Sequence, residues 1–279
     1  MHASDTHLAG ARFLEAERGC SARSSAVHTF AVLAFYTGGS ATIALRDAWN
    51  VTAGDLLLIP AGAAHRMVTA ERVAFWGATF CASCFAADEA VHVIEPFERV
   101  RDGGAAVVRI APERHEHLVT LFRELERVSQ DGVAPTATTD LVQKSLLTLI
   151  LAEAHEAHAR SAPPATARAA TGGVVAEALR FIERHCLEKI SLEDVAAAVR
   201  KSPAYVTTAL TQGTGMSAGQ WISSGRMAAA RRFLLHTDEM VDVIAERVGY
   251  GDVTHFIRMF RREHGTTPAA WRAAARGRS

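Results

Sequence analysis

An internal repeat in the last part of the chain constrains the fold more than any other feature of the sequence. Each copy opens with four small or apolar residues spaced i, i+3, i+4 and i+7, which is the period of one helix face. The first set is Leu192, Val195, Ala196 and Val199, and the second set, 49 residues later, is Val241, Ile244, Ala245 and Val248. The pattern predicts two similar helical units in tandem.

The residues that follow each set also repeat, now at an interval of 50 residues. The matched pairs are Val206 with Phe256, Leu210 with Phe260, Gly215 with Gly265, and Trp221 with Trp271. Each copy is therefore predicted to be a helix, a tight turn and a second helix, and the one-residue difference falls at residues 200–202 against 249–251. This is the geometry of a helix-turn-helix, whose second helix enters the major groove of DNA.

Capping residues support these helix boundaries. Ser191 opens a capping-box-like segment, and Ser202-Pro203 supplies a cap followed by a proline at the first helical position. Gly249 suits a left-handed helix end. Met240 is the exception, because it stands where the repeat would place a capping Ser or Thr, and a missing cap typically costs about 1 kcal/mol.

The charge is divided unevenly between the two halves of the chain. Residues 1–159 carry 13 Lys and Arg against 19 Asp and Glu, a net charge of −6, and residues 160–279 carry 17 against 11, a net charge of +6. A basic C-terminal half is what a polyanion-binding module needs.

Three consecutive segments carry a family resemblance: SLEDVAAAVRKSPAYVTTALTQGTGMSAGQWI, then RMAAARRFLLHT, then VIAERVGYGDVTHFIRMFRREHGTTPAAWR. Over residues 175–275 the chain resembles the signature of the AraC family of transcription regulators. The resemblance implies reading helices at residues 203–212 and 252–262. It also implies a bridging helix at residues 218–236 that holds them about one DNA turn apart, roughly 34 Å.

The resemblance further implies which side chains of the second reading helix face DNA. The base-facing positions, with the one adjacent to them, are Val253, Thr254, Ile257 and Arg258. Arg258 can donate two hydrogen bonds to guanine, and the two apolar residues can contact a thymine methyl group. Arg261 and Arg262 lie further along the helix and are predicted to contact phosphates.

The first reading helix departs from the family pattern. Its base-facing positions hold Ala204, Thr207 and Thr208, and the family often has basic residues where Thr208 and Thr211 stand. Lys201, at the turn, is the nearest cation. Because threonine hydroxyls discriminate weakly between bases, this helix is predicted to position the protein more than to specify sequence.

The N-terminal half has a different pattern. Residues 10–110 contain short β-forming runs separated by glycine and proline, which is typical of a small barrel or sandwich. Residues 112–130 and 138–159 have helical spacing and predict a helical hairpin. The stripe predicted for its first helix is Leu118, Leu121, Phe122, Leu125 and Val128, and the stripe predicted for its second helix is Leu141, Leu146, Leu149 and Ile150. We expect the hairpin to bury its stripes against the barrel or a second copy.

The expected fold class is therefore multi-domain α+β. Residues 1–159 are predicted to form a cupin-like sensor and dimerisation domain, with a cupin-like β-barrel at about residues 10–110 and the helical hairpin at residues 112–159. Residues 160–173 are predicted to be a linker. Together with Ala159 this segment reads ARSAPPATARAATGG. Residues 174–279 are predicted to form an all-α DNA-binding domain with two helix-turn-helix units.

Residues 54–65, GDLLLIPAGAAH, resemble the second cupin motif, which is also found in the sensor half of AraC-type regulators. A metal-binding cupin would combine His65 with an H-x-H pair and a Glu, but here Phe30 stands two residues after His28. No metal or other cofactor is predicted. A barrel without metal can enclose a small-molecule effector. The candidate pocket residues are His28, Phe30, Tyr36, Trp49, His65 and Trp76.

Four cysteines occur without an export signal, and no apolar run is long enough to span a membrane. These features predict a cytoplasmic chain without a disulfide framework. Cys81 and Cys84 form a C-x2-C with no second pair, which favours ordinary packing over a zinc site and leaves a redox role open.

Together these features predict a regulator that binds double-stranded DNA. Two copies are expected to form a homodimer through their N-terminal halves. RNA polymerase is a candidate partner, and no catalytic activity is predicted. Control is expected through linkage, in which an effector with different affinity for two arrangements changes operator occupancy. The alternatives are a ligand-independent regulator with a filled barrel and a cupin enzyme fused to a DNA-binding tail. Arginines along the second reading helix disfavour a protein-interaction module.

Overall fold

The computed structural model describes residues 9–16, 25–82, 89–129, 136–161 and 173–276. Cys84 and residues 162–172 of the predicted linker lie outside the described residues. The described strands are β1 (Ala9–Ala16), β2 (Ala31–Leu45), β3 (Asp47–Thr52), β4 (Asp55–Ile59), β5 (His65–Phe80) and β6 (Val107–Arg109). All of them precede residue 110, as the sequence pattern predicts.

The strands form one antiparallel sheet in the order β1-β5-β2-β4-β6, with β3 paired to β2. Its backbone is the long pair β2 and β5, in which Ala31 lies opposite Phe80 and Leu45 lies opposite His65. The first six residues of β2 are all buried, because the sheet is covered on both faces there.

The prediction of a closed barrel is wrong for the described strands. β1 and β6 lie at the two ends of the strand order and do not pair with each other, so the sheet is open. Closure requires edge strands that pair with a consistent stagger, and β6 has only three residues. The edge of β1 is capped by a side chain instead, since the Phe13 amide donates a 3.0 Å hydrogen bond to Glu126 Oε1.

Three helices cover the sheet: α1 (Glu95–Arg101), α2 (His115–Val128) and α3 (Ala137–Ser161). The last two correspond to the predicted hairpin of residues 112–130 and 138–159. The buried residues of α2 are Leu118, Leu121, Phe122 and Leu125, which belong to the predicted stripe.

The apolar stripe of α3 differs from the prediction. The buried residues are Leu147, Ile150, Leu151, Ala154 and Ala157. Leu141 and Leu149, which were predicted to be buried, are 62% and 50% exposed. The helix carries two apolar faces with helical spacing, and only packing against the sheet decides which one is covered.

The rest of the described chain is helical. The helices are α4 (Val174–His185), α5 (Leu192–Ala198), α6 (Pro203–Thr214), α7 (Ala218–His236), α8 (Val241–Arg247), α9 (Val253–His264) and α10 (Pro268–Arg276). They enclose two separate cores, one around Val206 and Leu210 and the other around Phe256 and Phe260. Helix α7 contributes residues to both cores, Trp221 to the first and Leu234 to the second.

The predicted helix starts have the expected caps. Ser191 and Asp194 form a reciprocal capping box, in which the Asp194 carboxylate accepts a 2.8 Å hydrogen bond from the Ser191 amide. The Ser202 hydroxyl accepts a hydrogen bond from the Tyr205 amide. Met240 occupies the N-cap position of α8 and makes no side-chain capping bond, as predicted.

The N-terminal sheet and the C-terminal helices meet along a seam, which is formed by residues 61–62 and α1 on one side and by α4 on the other. Ala61 is buried in the core of the first helical unit. Gly62 has φ +79°, a left-handed conformation that favours glycine, and a Cβ at this position would displace the end of the Leu179 side chain. Glycine therefore lets the backbone approach α4 closely.

A buried ion-pair network crosses the seam. Arg101 of α1 is 5% exposed and binds Glu183 of α4 with both terminal nitrogens, at 2.5 and 2.6 Å. Arg101 also binds Glu98 at 2.8 Å. Arg180 of α4 returns to α1, at 2.6 Å from Glu98 and 2.7 Å from Asp102. Each guanidinium thus contacts a carboxylate on the other side of the seam.

Burial alone would lower the pKa of Arg101, but the carboxylates of Glu183 and Glu98 outweigh it and raise that pKa overall. Arg101 therefore stays charged in the seam. A second contact joins the same two parts of the chain, because Asp140 of α3 lies 2.6 Å from His236 Nε2 at the end of α7. The N-terminal part thus contacts both the first helix of the helical region and the end of the bridging helix α7.

We predict that Arg101→Ala lowers the opening free energy of α4 by about 3 kcal/mol, because it leaves the Glu183 carboxylate without its partner. Hydrogen exchange measured by mass spectrometry on peptides that cover α4 reads this out. Arg109→Ala is the control: its pair with Asp55 is 3.0 Å long, but the arginine is 57% exposed, so we expect less than about 1 kcal/mol. Equal losses in both variants would contradict the seam as described.

Candidate nucleic-acid interface

The two helix-turn-helix units end their first helices in the same way. The Lys201 amide bonds the Ala196 carbonyl at 3.0 Å, and the Tyr250 amide bonds the Ala245 carbonyl at 2.9 Å. The residue before each donor has a left-handed backbone, with φ 53° at Arg200 and 84° at Gly249. The extra residue of the second unit therefore lies after this turn, before the cap of α9.

The second helix of each unit begins after a capping residue and is anchored in the core by apolar side chains. Asp252 caps α9 through a 2.8 Å hydrogen bond from the Thr254 amide. Val206 and Leu210 of α6 are fully buried, as are Phe256 and Phe260 of α9 at the matching repeat positions. The observed helices, α6 and α9, run two residues beyond the predicted ends of the reading helices.

The two tryptophans of the repeat pack against the inner faces of the reading helices. The Trp221 indole donates a 3.0 Å hydrogen bond to the Thr214 hydroxyl, a buried polar contact at the end of α6. Trp271 stacks edge-on against Phe260, with ring centroids 6.2 Å apart. One face of each reading helix is therefore fixed by packing, which leaves the opposite face for a partner.

Arg226, in the middle of α7, joins the two units. It donates 2.7 Å hydrogen bonds to the carbonyls of Cys186 and Glu188, which follow α4 in the first unit. Its guanidinium also lies 5.3 Å from the ring centroid of Tyr250, in the turn of the second unit. Burial lowers the pKa of Arg226. The sequence analysis did not single out this residue, and no local motif signals it.

The candidate contacts of the second reading helix fall into two groups. Thr254, Arg258, Arg261 and Arg262 are exposed. Within the part of the chain that the structure describes, none of the three arginines is paired with a carboxylate. Val253 and Ile257 are half-buried and pack against the core of the second unit, so less of their surface is free for a thymine methyl group.

The candidate contacts of the first reading helix are all exposed: Lys201, Ala204, Thr207 and Thr208. The Thr208 hydroxyl donates to the Ala204 carbonyl at 3.0 Å, so only its acceptor capacity remains for DNA. Tyr205 is 53% exposed on the same helix, and the Lys201 ammonium lies 5.9 Å from its ring centroid. The sequence analysis missed this tyrosine, although an aromatic residue beside a lysine was a visible signal.

His264 ends α9 without adding charge. Burial, together with the nearby Arg231, lowers the pKa of His264 to about 3, and its ring packs 4.4 Å from Phe260. The histidine is therefore neutral near pH 7, and the positive charge of the outer helix face comes from Arg258, Arg261 and Arg262.

The six candidate effector residues of the N-terminal half do not surround one cavity. Tyr36 and Trp76 are 1% and 7% exposed and belong to the sheet core. His28 stacks on Phe30 at 4.6 Å and lies 5.2 Å from the ring of His65. Trp49 lies apart from both groups, on the wall of a cavity at the seam.

Burial disfavours the protonated form of both histidines in that small cluster. Burial, followed by electrostatic repulsion from His65, lowers the pKa of His28 to about 4, and burial also lowers the pKa of His65. His65 Nδ1 lies 3.0 Å from the Ala63 carbonyl, which suits a turn-stabilising histidine. Among the described residues, no group of three or more His, Cys, Asp or Glu side chains is arranged to hold a metal ion.

A search of the described helices finds none that combines the length and apolarity needed to cross a membrane.

Two helix-turn-helix units lie on one bridging helix, with exposed arginines on the second reading helix, which is the arrangement that the resemblance to AraC-type regulators predicts. Residues 195–274 match a family model described as a helix-turn-helix domain. The regulatory protein PocR of Salmonella typhimurium is 34% identical over 96 residues, which are 34% of this chain and 32% of PocR.

The HTH-type transcriptional activator RhaS of an Enterobacter species is 38% identical over 90 residues, 32% of each chain. The solved DNA-binding domain of AdpA, in complex with a target DNA, is 33% identical, with a TM-score of 0.36; the match covers 37% of this chain and 94% of that one. The chain spans about a third of the length of the curated relatives it matches. The shared part is the C-terminal helical region.

We predict that Arg226→Ala weakens binding to a duplex long enough for both reading helices by roughly tenfold, because charge-assisted hydrogen bonds between the units are lost. Affinity for a shorter duplex that reaches only one helix should be unchanged. Fluorescence anisotropy with both duplexes measures the difference. An equal loss on both duplexes would show that Arg226 acts within one unit instead.

We predict that Arg258→Ala relaxes base preference at one position by about 1–3 kcal/mol, whereas Thr207→Ala changes base preference little. The reason is that a guanidinium can bond a guanine with two donors, while a threonine hydroxyl offers one weakly selective bond. Competition binding against duplexes with single base substitutions tests this asymmetry. It is refuted if both variants relax specificity to the same extent.

Proposed function

We propose that the chain is a transcription regulator that binds a specific double-stranded DNA site through α6 and α9. The observation that carries the proposal is the pairing of two outward-facing reading helices on one bridging helix. A rigid α7 presents both helices on one side of a duplex, where successive major-groove segments lie about 34 Å apart. The domain that we assign to this task comprises residues 174–279.

The two reading helices are proposed to divide the work. On α9, Arg258 and Thr254 read bases, Val253 and Ile257 contribute their half-exposed apolar edges, and Arg261 and Arg262 bind phosphates. On α6 the outer face has no charged residue, so Ala204, Thr207 and Thr208 fit closely against the groove floor while Lys201 binds the backbone. The exposed ring of Tyr205 adds a contact to sugar or phosphate.

We propose that residues 1–159 form the sensor part, related to the cupins, and that residues 160–173 link it to the DNA-binding domain. The GDLLLIPAGAAH segment supports the relation, since Gly54 and Gly62 both adopt the left-handed conformation that its turns need. A filled sheet interior, with Tyr36 and Trp76 in the core, favours an effector that binds elsewhere or a regulator without one.

We propose that two chains associate through their N-terminal halves. The exposed face of α3 supports this, because Leu141, Val142 and Leu149 are 62%, 38% and 50% exposed and cannot be covered by the sheet of the same chain. The curated relatives described as transcriptional activators support a role in transcription activation in preference to an enzymatic role. RNA polymerase is the partner that we propose for such a role.

Selection of duplexes from a random library by the purified full-length chain tests the function. The logarithm of the binding constant for the selected duplex should fall linearly with the logarithm of the salt concentration, because phosphates that bind the protein release counterions. Arg262→Ala should make that slope shallower by about 1, as expected for one lost phosphate contact. Enrichment of no sequence over random duplex would refute the proposal.

Arg127→Ala is the matched control for the salt experiment. Arg127 is 65% exposed on α2 and far in sequence from the reading helices. Its removal subtracts the same charge from the chain without touching the proposed interface. The salt slope should stay unchanged, and a slope that changes as in Arg262→Ala would indicate a diffuse charge effect.

A further inference from the structure

A cavity of about 450 Å³ opens at the seam between the sheet and the helices. Its walls come from the β2–β3 turn, the loop after β4, the end of α1 with the residues that follow, and the start of α4. The apolar part of the wall includes Leu45, Trp49, Val100, Val175 and Leu179. A volume of 300–1,000 Å³ with mostly apolar walls is typical of small-molecule sites.

The two arginines of the cavity wall differ in whether they are paired with a carboxylate. Arg101 is already neutralised by Glu183 and Glu98 within the seam network. Arg46 forms no ion pair with any described residue, and its guanidinium leans over the loop after α1, since a Cβ on Gly103 would lie 2.9 Å from Arg46 Nη1. Arg46 is thus left as a cation at the rim of an apolar space.

Asp47 is the opposing charge at this rim, and it too has no ion-pair partner among the described residues. It lies in β3, opposite Leu45 in the strand register, while Arg46 occupies the turn itself with φ 52°. A non-glycine residue in that conformation is strained, and the surrounding structure must hold it there. The Arg46 guanidinium lies close to Gly103, in the loop after α1.

We propose that the seam cavity binds a small, largely apolar molecule with one anionic group, which pairs with Arg46 while the apolar body packs against Trp49. This assignment rests on the proposed function, because it places the effector of the regulator at the seam and not inside the sheet. Tyr36 and Trp76, which were candidates to line a cavity inside the sheet, are packed in its core instead.

Occupancy of this cavity acts on both halves of the chain at once. The wall residues Trp49 and Val100 belong to the N-terminal part, and Ala176 and Leu179 belong to α4, the first helix of the DNA-binding part. A ligand that contacts both stabilises the docked arrangement over any arrangement in which the seam is open. The Arg101–Glu183 pair at the same wall transmits that preference to the first helix-turn-helix unit.

Two fluorescent probes of matched shape test the site on the full-length chain. They are 8-anilinonaphthalene-1-sulfonate, which is anionic, and N-phenyl-1-naphthylamine, which is uncharged. We expect one saturable site per chain for the sulfonate, about tenfold tighter than for the amine. Arg46→Ala should remove that difference, Arg46→Lys should restore part of it, and Asp47→Asn should not weaken sulfonate binding.

Filling the cavity locates the site. Ala176→Leu and Ala63→Leu place larger side chains on the cavity wall and should each weaken sulfonate binding by about tenfold. Ala273→Leu makes the same change on the exposed surface of α10 and should have no effect. Unchanged binding in both filled variants, or no saturable binding to the wild-type chain, overturns the assignment.

The effect on DNA is read separately, with the selected duplex. Saturating sulfonate should change duplex affinity by at least about threefold, and the duplex should change sulfonate affinity by the same factor. Glu183→Gln, which weakens the seam pair, should reduce this coupling while leaving the probe bound. Probe binding without any coupling refutes the effector role, whereas a chain that selects no duplex refutes the proposed function and leaves probe binding as its own result.

Discussion

Two reading helices can bind one duplex together only if the distance between them is fixed. The contacts of Arg226 hold the two units at a fixed distance. The guanidinium spans from the carbonyls of Cys186 and Glu188 to the ring of Tyr250, so the first and second units meet on one side chain of α7. A half-buried charge with hydrogen bonds on one side and an aromatic face on the other tolerates little displacement. Everything proposed about DNA recognition presupposes this separation.

The seam imposes a second constraint on the first unit alone. Helix α4 is bound to α1 through Arg101 and Arg180, and to the loop after β4 through the close approach of Gly62 and Leu179. The orientation of α6 therefore depends on the state of the N-terminal part, while α9 depends on it only through α7 and the Asp140–His236 contact. Under the proposed function, α6 is therefore the reading helix whose orientation a change at the seam would alter.

In the N-terminal half, local sequence patterns predict the strands and helices but not how they assemble. The strands, the cupin-like segment and the two helices of the hairpin were predictable because period-2 and period-3.6 patterns are local. The closed barrel was not a valid inference, because closure depends on whether β1 and β6 meet across the sheet. The choice between the two apolar faces of α3 was equally undetermined, since Leu141 and Leu149 match the helical period as well as Leu147 and Leu151 do.

For this protein the sequence by itself determined the tandem helical units, their caps and their turns, because repeat spacing and capping residues act within a few positions along the chain. It also identified Arg258 as an outward-facing cation. Only the tertiary structure decided that Arg226 joins the units, that Arg101 and Glu183 meet, and that a cavity lies between the halves. These features bring together residues about 24 to 130 positions apart, and loop closure over such distances leaves no local signature in the sequence.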